Sequence, residues 1–191
     1  MIYIESIQVS EGKFCNLSLH IDRMQRTIGK VLVLNLVVPE IYCTGIAKCR
    51  ILYNEQRIIE IGYQHYTLPK IKTLRILEAP ALAYNYKWAD RSALNALMMQ
   101  RGTCDDILIT QNGCVTDTSF CNIVFESKEG LFTPTTALLH GTKRQLLLNK
   151  GVIKQRAISS HNLVEYDKAY LINAMIDLSD KICIEIESIY P

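Results

Sequence analysis

The sequence predicts an α+β fold in which short strands outnumber helices and in which two parts follow one another along the chain. The first observation is a series of short apolar segments of strand length, separated by turn residues. The second is that helical spacing of apolar residues is confined to a few stretches. The third is Asn112-Gly113 between the apolar runs 107–109 and 123–125, a pair typical of a tight β-hairpin because both central residues need a positive φ.

In the first part of the chain, the spacing of apolar and turn residues predicts several strands and one helix. Residues 2–9 alternate as a strand does, and Glu11-Gly12 turns the chain into a second strand at 14–17. Apolar residues at helical spacing predict a helix over 20–29, with Gly29 ending it. The run 31–38, stopped by Pro39, fits a helix or a buried strand equally well.

The remaining elements follow from similar patterns. A hairpin is predicted over 47–63 around Asn54-Glu55, and Pro80 marks the predicted boundary between a small N-terminal domain, 1–80, and a barrel-like C-terminal domain, 81–191. Asp90 is expected to cap a helix that ends at Gly102, and a second helix is expected over 145–150, before Gly151. Further strands are predicted at 74–77, 131–133, 153–158, 170–172 and 182–186, with a short helix after Ser160.

Composition narrows the class of protein. The chain is 49% hydrophobic and 21% charged with a net charge of +2, which is typical of a globular protein and gives no basic surface for nucleic acid. No apolar run approaches the ~20 residues of a membrane span. The seven cysteines are dispersed without a Cys-x-x-Cys pair, so we expect reduced thiols in the cytoplasm and no metal site.

Three places in the sequence carry chemical groups of interest. Asp117 stands among small hydroxyl residues between strand-like segments, where a carboxylate needs a cation or strong donors. Lys87 lies just before a helix among Tyr84, Tyr86 and Trp88, a setting that favours a reactive amine. Gly141-Thr142 opens a helix, whose free N–H groups and dipole favour an anion. An amine, a carboxylate and an anion site are what pyridoxal phosphate requires.

The chain resembles the class IV aminotransferase family, the fold-type IV pyridoxal phosphate enzymes, from Ile4 almost to the C-terminus. The segments that carry the resemblance are ESI, LHIDRM, YKWADR, DDILITQNGCVTDTSFCNIVF, LFTP, LLHGTKR and AYLINAM, in the order of the family. The resemblance implies pyridoxal 5′-phosphate as cofactor, lying between the two domains, and a homodimer.

The resemblance also assigns residues to the site. Lys87 would form the Schiff base, Asp117 would hold the pyridine nitrogen and Arg23 would bind the phosphate. The remaining cofactor contacts would be made by Leu139 under the ring, by the amides of Thr142 and Lys143, and by Asn173 and Ala174 beside the phosphate. Arg91 is a candidate residue for binding a substrate carboxylate or the 3′ oxygen of the cofactor. His20 is a candidate for a position near the site.

Each assignment has a structural alternative. Asp117 could cap a turn with Thr118 and Ser119, and Gly141-Thr142 could be a helix cap only. Arg23 could pair with Asp22 or Glu5 on a solvated helix. His20 could pack in the core, Arg91 could stand at a helix start, and Lys87 could be a surface lysine.

Within the family, Lys87-Trp88-Ala89-Asp90-Arg91 is similar to the Lys-x-x-(Asn/Asp)-Arg segment of 4-amino-4-deoxychorismate lyases, which form pyruvate and 4-aminobenzoate for folate synthesis. The alternatives are an aminotransferase acting on D-amino acids or branched-chain amino acids, and a homologue that binds the cofactor without turnover. Two departures bear on this choice. Asp117 stands where the family usually has Glu, and the segment before ESI is shorter than in typical members.

Overall fold

The computed structural model describes all 191 residues, and the chain divides into two compact units. The N-terminal unit comprises Met1–Leu68 and Tyr86–Asp90, and the C-terminal unit comprises Pro69–Asn85 and Arg91–Pro191. This division differs from the predicted boundary at Pro80, and it places Lys87 with the N-terminal unit.

Backbone hydrogen bonds explain why the segment 86–90 returns to the N-terminal unit. Ile4 N–H donates to the Lys87 carbonyl at 2.9 Å, and Ala89 N–H donates to the Ile2 carbonyl at 3.0 Å. The Tyr3 ring stacks on Trp88 with 5.0 Å between centroids. The segment therefore pairs with the first strand of the chain, a contact between distant residues that sequence patterns do not reveal.

The N-terminal unit contains a four-stranded antiparallel sheet of order β2-β1-β3-β4. Its elements are β1 (Tyr3–Ser10), β2 (Lys13–Phe14), α1 (Leu17–Ile28), β3 (Ile46–Tyr53) and β4 (Ile58–His65). Every second residue of β1 is buried, as its alternation predicts. Both predicted hairpins are confirmed, although the second strand is Lys13–Phe14 and does not extend to residue 17. The predicted helix end before Gly29, which has φ 73°, is also confirmed, but the helix begins at Leu17 and not at residue 20.

The run 31–38 forms neither of the two predicted elements. Its side chains alternate: Leu32, Leu34, Leu36 and Val38 pack against the N-terminal core, whereas the residues between them are more exposed. The segment joins none of the sheets, and a short 3₁₀ turn, Glu40–Tyr42, follows Pro39. The alternation in burial thus results from packing of one side of this segment against the core.

The C-terminal unit contains two sheets, one of order β10-β9-β8-β11-β12 and one of order β13-β5-β6-β7. The strands are β5 (Leu74–Glu78), β6 (Asp106–Gln111), β7 (Cys114–Thr118), β8 (Asn122–Ser127), β9 (Gly130–Pro134), β10 (Lys154–Arg156), β11 (Lys168–Ile172), β12 (Cys183–Glu185) and β13 (Ile189–Tyr190). The predicted hairpin is confirmed: β6 and β7 pair antiparallel, and Asn112 and Gly113 have φ of 51° and 74°.

Two α-helices lie in the same unit, α2 (Ser92–Met98) and α3 (Thr142–Asn149). Asp90 does not cap α2, because the N-cap residue is Arg91, so that prediction is wrong. Helix α3 begins earlier than predicted, directly after Gly141, and Gly151 follows it with φ 66°. Short 3₁₀ turns span Ser160–Glu165, Leu178–Asp180 and Ile186–Ser188. No helix of the chain combines the length and apolarity needed to cross a membrane.

The connection from β7 to β8 carries the chain from one sheet of this unit to the other. The turn is closed by Thr118 N–H donating to the Cys121 carbonyl at 2.9 Å and by Cys121 N–H donating to Thr118 Oγ1 at 3.1 Å. Asp117 precedes this turn and Asn122 follows it, so the turn brings their side chains together. We refer to residues 118–122 as the crossover loop.

Candidate functional site

In the N-terminal unit, His20 and Arg23 both bind the carboxylate of Glu5. They lie three residues apart on one face of α1, and Glu5 lies on a buried position of β1. Arg23 donates from Nε to Glu5 Oε1 at 2.8 Å and from Nη2 to Oε2 at 2.5 Å. His20 Nδ1 lies 2.6 Å from the same Oε2. Arg23 thus forms an ion pair with Glu5, which is one of the structural alternatives that the sequence suggests. The pair is buried, however, and does not lie on a solvated helix face.

The charges of this cluster follow from its contacts. Burial opposes ionisation of Glu5, but the guanidinium of Arg23 and the hydrogen bonds from His20 and Arg23 outweigh it and lower the pKa of Glu5 to about 2. Burial lowers the pKa of His20, and the charges of Arg23 and Lys87 add to this, against the opposing effect of Glu5. His20 is therefore neutral at pH 7, and Nδ1 carries the proton that it donates to Glu5.

Lys87 is half-buried in the N-terminal unit, and its backbone is fixed by the pairing with β1. Of the predicted aromatic neighbours, Tyr86 and Trp88 pack edge-to-face on one another at 5.5 Å, and both contact Tyr3. The charge of Lys87 adds to the lowering of the His20 pKa, so its ammonium lies within electrostatic range of the Glu5 cluster. Lys87, His20 and Arg23 are thus brought into one region of this unit.

In the C-terminal unit, Asp117 is buried at the end of β7 and accepts a hydrogen bond on each carboxylate oxygen. Asn122 Nδ2 donates to Oδ1 at 2.7 Å, and Leu139 N–H donates to Oδ2 at 2.9 Å. Burial nevertheless raises the pKa of Asp117 to about 6, because it outweighs these hydrogen bonds and the charge of Arg144. A carboxylate with this pKa gains from an added cation, which is what a protonated pyridine ring would supply.

Several predicted site residues converge on the crossover loop. Arg91 Nη2 donates to the Ser119 carbonyl at 2.7 Å, and Asn173 Nδ2 lies 3.2 Å from Cys121 Sγ. Asn122 Nδ2 donates to the Leu139 carbonyl at 2.8 Å. Arg91 therefore occupies a helix start, as one alternative had it, and at the same time contacts the loop that follows Asp117.

The remaining predicted residues lie at the start of α3 and in the turn after β11. Thr142 and Lys143 are both buried, and Gly141 before them provides no side-chain cap, so the start of α3 retains an anion-binding character. The ammonium of Lys143 forms an ion pair with Asp177. Ala174 is half-buried in a tight turn in which Asn173 Oδ1 accepts a hydrogen bond from Met175 N–H at 2.8 Å.

Four residues of these clusters had no assigned role in the sequence analysis: Glu5, Asn122, Arg144 and Asp177. Glu5 had been considered only as an alternative partner of Arg23. Arg144 is buried in α3, where Nη2 donates to the Pro134 carbonyl at 2.9 Å. Glu5, Asn122 and Arg144 each lie within a segment that carries the family resemblance, so the resemblance is the sequence feature that points to them. Asp177 lies after the AYLINAM segment, three residues beyond Ala174. No pattern in the sequence predicts a role for it.

Comparison with known proteins identifies the class. The amino-transferase class IV family matches residues 64–180. The chain therefore belongs to this family, and the predicted fold and enzyme class, that of pyridoxal phosphate-dependent lyases and aminotransferases, are confirmed.

Individual relatives extend over nearly the whole chain. An uncharacterized protein from Haemophilus influenzae is 36% identical over 181 residues, which is 90% of this chain and 96% of the relative. The crystal structure of a protein provisionally named 4-amino-4-deoxychorismate lyase, from Haemophilus somnus, has 29% identity and a TM-score of 0.81, covering 91% of this chain and 96% of that one. A hypothetical aminotransferase from Mycobacterium tuberculosis in its pyridoxal phosphate-bound form shares the fold, with 15% identity, a TM-score of 0.74 and coverage of 98% and 81%.

The residues present fit pyridoxal phosphate in chemical type. The C-terminal unit offers a buried carboxyl with a raised pKa and an uncapped helix start, and the N-terminal unit offers a half-buried lysine close to a neutral histidine. The particular contacts of each residue with the cofactor stay predictions.

Proposed function

We propose that this protein is a pyridoxal phosphate-dependent 4-amino-4-deoxychorismate lyase that forms 4-aminobenzoate and pyruvate for folate synthesis. The observation that carries the proposal is the convergence of Arg91, Leu139 and Asn173 on the loop that follows Asp117. A structural turn alone would not require an arginine, a buried carboxyl and an uncapped helix start in one region of the unit.

The relatives favour the lyase over the other members of the family. The relative from Haemophilus somnus, which carries the lyase name, is 29% identical over 91% of this chain. The aminotransferase from Mycobacterium tuberculosis, at 15% identity, supports only the shared fold. The segment from Lys87 to Arg91, which resembles the lyases, agrees with this choice.

When bound, pyridoxal phosphate supplies an aldehyde that condenses with amines and a pyridine ring that accepts electrons. In the proposal, Lys87 would hold the aldehyde, and its amine would take up the proton that leaves the ring carbon of the substrate. Asp117 would hold the pyridine nitrogen, while Arg23 and the start of α3 would hold the phosphate. The hydrogen bonds on both oxygens of Asp117 support this role because they fix the carboxylate before the ring arrives.

Arg91 is the residue proposed to bind a carboxylate of the substrate. One of its donors is taken by the Ser119 carbonyl at 2.7 Å, which restrains the orientation of the guanidinium. A guanidinium has five N–H donors in a planar fork, so the restrained group still offers two parallel hydrogen bonds to a carboxylate. Such a contact would orient the substrate and would not take part in bond cleavage.

The proposal includes a homodimer in the cytoplasm, as in the family that the chain resembles. Light scattering coupled to size-exclusion chromatography tests the dimer directly. A mass of about 44 kDa, twice the 21.8 kDa of the chain, is expected; a mass of one chain at micromolar concentration would contradict it.

The experiment that tests the reaction is a product assay with 4-amino-4-deoxychorismate as the only substrate. We expect equal amounts of 4-aminobenzoate and pyruvate, without added keto acid, and no product from Lys87→Ala. Lys70→Ala is the matched control, since Lys70 is an exposed lysine of the C-terminal unit and should leave the rate unchanged. Absence of product at high enzyme concentration would refute the lyase.

A parallel assay identifies the aminotransferase alternative. The cofactor-loaded protein is mixed with D-alanine, D-glutamate or branched-chain L-amino acids, and then with 2-oxoglutarate. A lyase of the proposed kind gives little turnover with these pairs. Fast conversion of an amino acid with no activity on aminodeoxychorismate would assign the aminotransferase in its place.

A further inference from the structure

Asn122 connects the carboxylate of Asp117 to the peptide of Leu139. Its Nδ2 lies 2.7 Å from Asp117 Oδ1 and 2.8 Å from the Leu139 carbonyl oxygen, so both amide hydrogens are used. The reverse orientation of the amide would place Oδ1 against two acceptors, and the two contacts therefore decide the orientation. Leu139 N–H completes the ring of contacts at 2.9 Å from Asp117 Oδ2.

Gly141 leaves the space in which Asn122 sits. Its φ of −65° and ψ of 144° are ordinary for any residue, so backbone conformation does not require glycine here. A Cβ built at this position would lie 2.0 Å from Asn122 Oδ1 and 3.2 Å from its Cγ. A side chain at 141 would therefore displace the amide of Asn122 from Asp117.

We propose that Asn122 is the positioning residue for Asp117, and that the glycine at 141 is needed because it admits the Asn122 amide. The amide fixes the carboxylate at the end of β7 and the Leu139 peptide in one arrangement. The consequence for the cofactor rests on the proposed function, in which Asp117 holds the pyridine nitrogen. The effect on Asp117 itself does not depend on a bound cofactor.

The raised pKa of Asp117 makes this effect measurable. Burial raises that pKa to about 6, while the hydrogen bonds from Leu139 and Asn122 oppose the rise by stabilising the ionised form. Removal of the Asn122 donor should raise the pKa by a further ~1, since a hydrogen bond to a charged group contributes about that much.

The first test uses the cofactor-free protein. The pKa of Asp117 is followed by the ¹³C shift of its carboxyl carbon, assigned by comparison with Asp117→Asn, in wild type, Asn122→Ala, Asn122→Asp and Gly141→Ala. We expect a higher pKa in all three variants, with the isosteric Asn122→Asp giving the largest rise because it replaces a donor by a second carboxyl. An unchanged pKa in Asn122→Asp or in Gly141→Ala overturns the proposal.

Matched controls separate positioning from general damage. Asn149→Ala removes an exposed asparagine at the end of α3, and Gly62→Ala adds a Cβ where the nearest atom, Glu60 Oε1, is 3.9 Å away. Neither should move the pKa of Asp117. If the controls shift that pKa as much as the Asn122 variants do, the proposed positioning role is wrong.

The second test adds pyridoxal 5′-phosphate and follows the visible absorbance as a function of pH. If the wild type binds it, Asn122→Asp should weaken binding about tenfold or more and move the pH midpoint of the spectrum, and the controls should not. Unaltered binding and midpoint in Asn122→Asp contradict the proposal. A wild type that does not bind refutes the proposed function, while the titration of the cofactor-free protein still decides the role of Asn122.

Discussion

Arg23 and Glu5 form a bidentate ion pair in the interior of the N-terminal unit, with Nε and Nη2 of the guanidinium 2.8 and 2.5 Å from the two carboxylate oxygens. His20 adds a third contact to the same carboxylate at 2.6 Å. A planar guanidinium matches a carboxylate best in this geometry. The cluster thereby joins α1 to β1 by three hydrogen bonds and holds Arg23 in one orientation.

Removal of the Glu5 charge should strongly destabilise the protein. In Glu5→Gln the buried guanidinium of Arg23 loses its counter-charge, and breaking a buried pair in this way costs about 3 kcal/mol or more. Urea unfolding at pH 7 measures the loss. Glu60→Gln, at an exposed position of β4, is the control; an equally small effect of both substitutions would show that the pair contributes little.

Stability should fall when the pH is lowered from 7 to 5 because of His20. Burial depresses the pKa of His20 in the folded protein, so the unfolded chain binds a proton near pH 6.5 and the folded protein does not. The stabilisation is present above pH 6.5 and is lost below it, by up to about 1.4 kcal/mol per pH unit.

The measurement compares wild type, His20→Gln and His161→Gln by urea unfolding at pH 5, 6, 7 and 8. The stability difference between wild type and His20→Gln should narrow as the pH falls, whereas exposed His161 should behave as wild type. A difference that stays constant across this range would mean that folding does not shift the pKa of His20.

The stability of Asp117→Asn relative to wild type should increase with pH in the cofactor-free protein, although the Asn amide sets its Nδ2 against one of the two donors on Asp117. Burial raises the pKa of Asp117 to about 6 from 3.8, so the folded protein binds this proton more tightly than the unfolded chain. The associated stability is present below pH 3.8 and is lost as the pH rises through 6, which at pH 8 corresponds to about 3 kcal/mol.

Urea unfolding at pH 4 and pH 8 tests this prediction. The stability of Asp117→Asn relative to wild type should rise by about 2.5 kcal/mol from pH 4 to pH 8, and Asp167→Asn, at an exposed position, should show no such rise. A difference between Asp117→Asn and wild type that does not change between the two pH values would contradict a carboxylate that is costly to bury. Such a cost is expected where a group is kept for function.

The parts of the fold that were predictable are those set by local patterns. Asn112-Gly113 identified its hairpin because positive φ at both residues permits few alternatives, and Gly29 and Gly151 identified helix ends for the same reason. The run 31–38 could not be resolved because it is almost uniformly apolar, and its alternating burial arises only from packing against a core assembled by distant residues. The pairing of the Lys87 segment with β1 is equally non-local.

The residues of the candidate site also fall into those that the sequence predicts and those that it does not. The family resemblance predicts Lys87 and Asp117 as site residues, and their roles stay predictions. The sequence does not predict the contacts of Asn122 and Asp177, because these depend on which side chain lies opposite after folding. Sequence patterns at strand or helix spacing contain no information about such pairs.

The ion pair between Lys143 and Asp177 should stabilise the C-terminal unit only while both charges are present. Lys143 is buried at the start of α3, but the Asp177 side chain is 40% exposed, so solvent screens the pair and Asp177→Asn should cost about 1 kcal/mol. The double variant Asp177→Asn with Lys143→Met should recover most of that loss. A double-mutant cycle by urea unfolding measures the coupling; additive losses would show that the two residues do not interact.

Borohydride trapping shows whether the amine of Lys87 bonds to the aldehyde of pyridoxal phosphate, on which the proposed function depends. The protein is incubated with the cofactor, reduced, digested and analysed by mass spectrometry, with Lys87→Ala and Lys70→Ala treated in parallel. We expect a visible absorbance band and a phosphopyridoxyl group on Lys87 in the wild type and in Lys70→Ala, and neither in Lys87→Ala. A stable adduct on another lysine, or no visible band in the wild type, would contradict it.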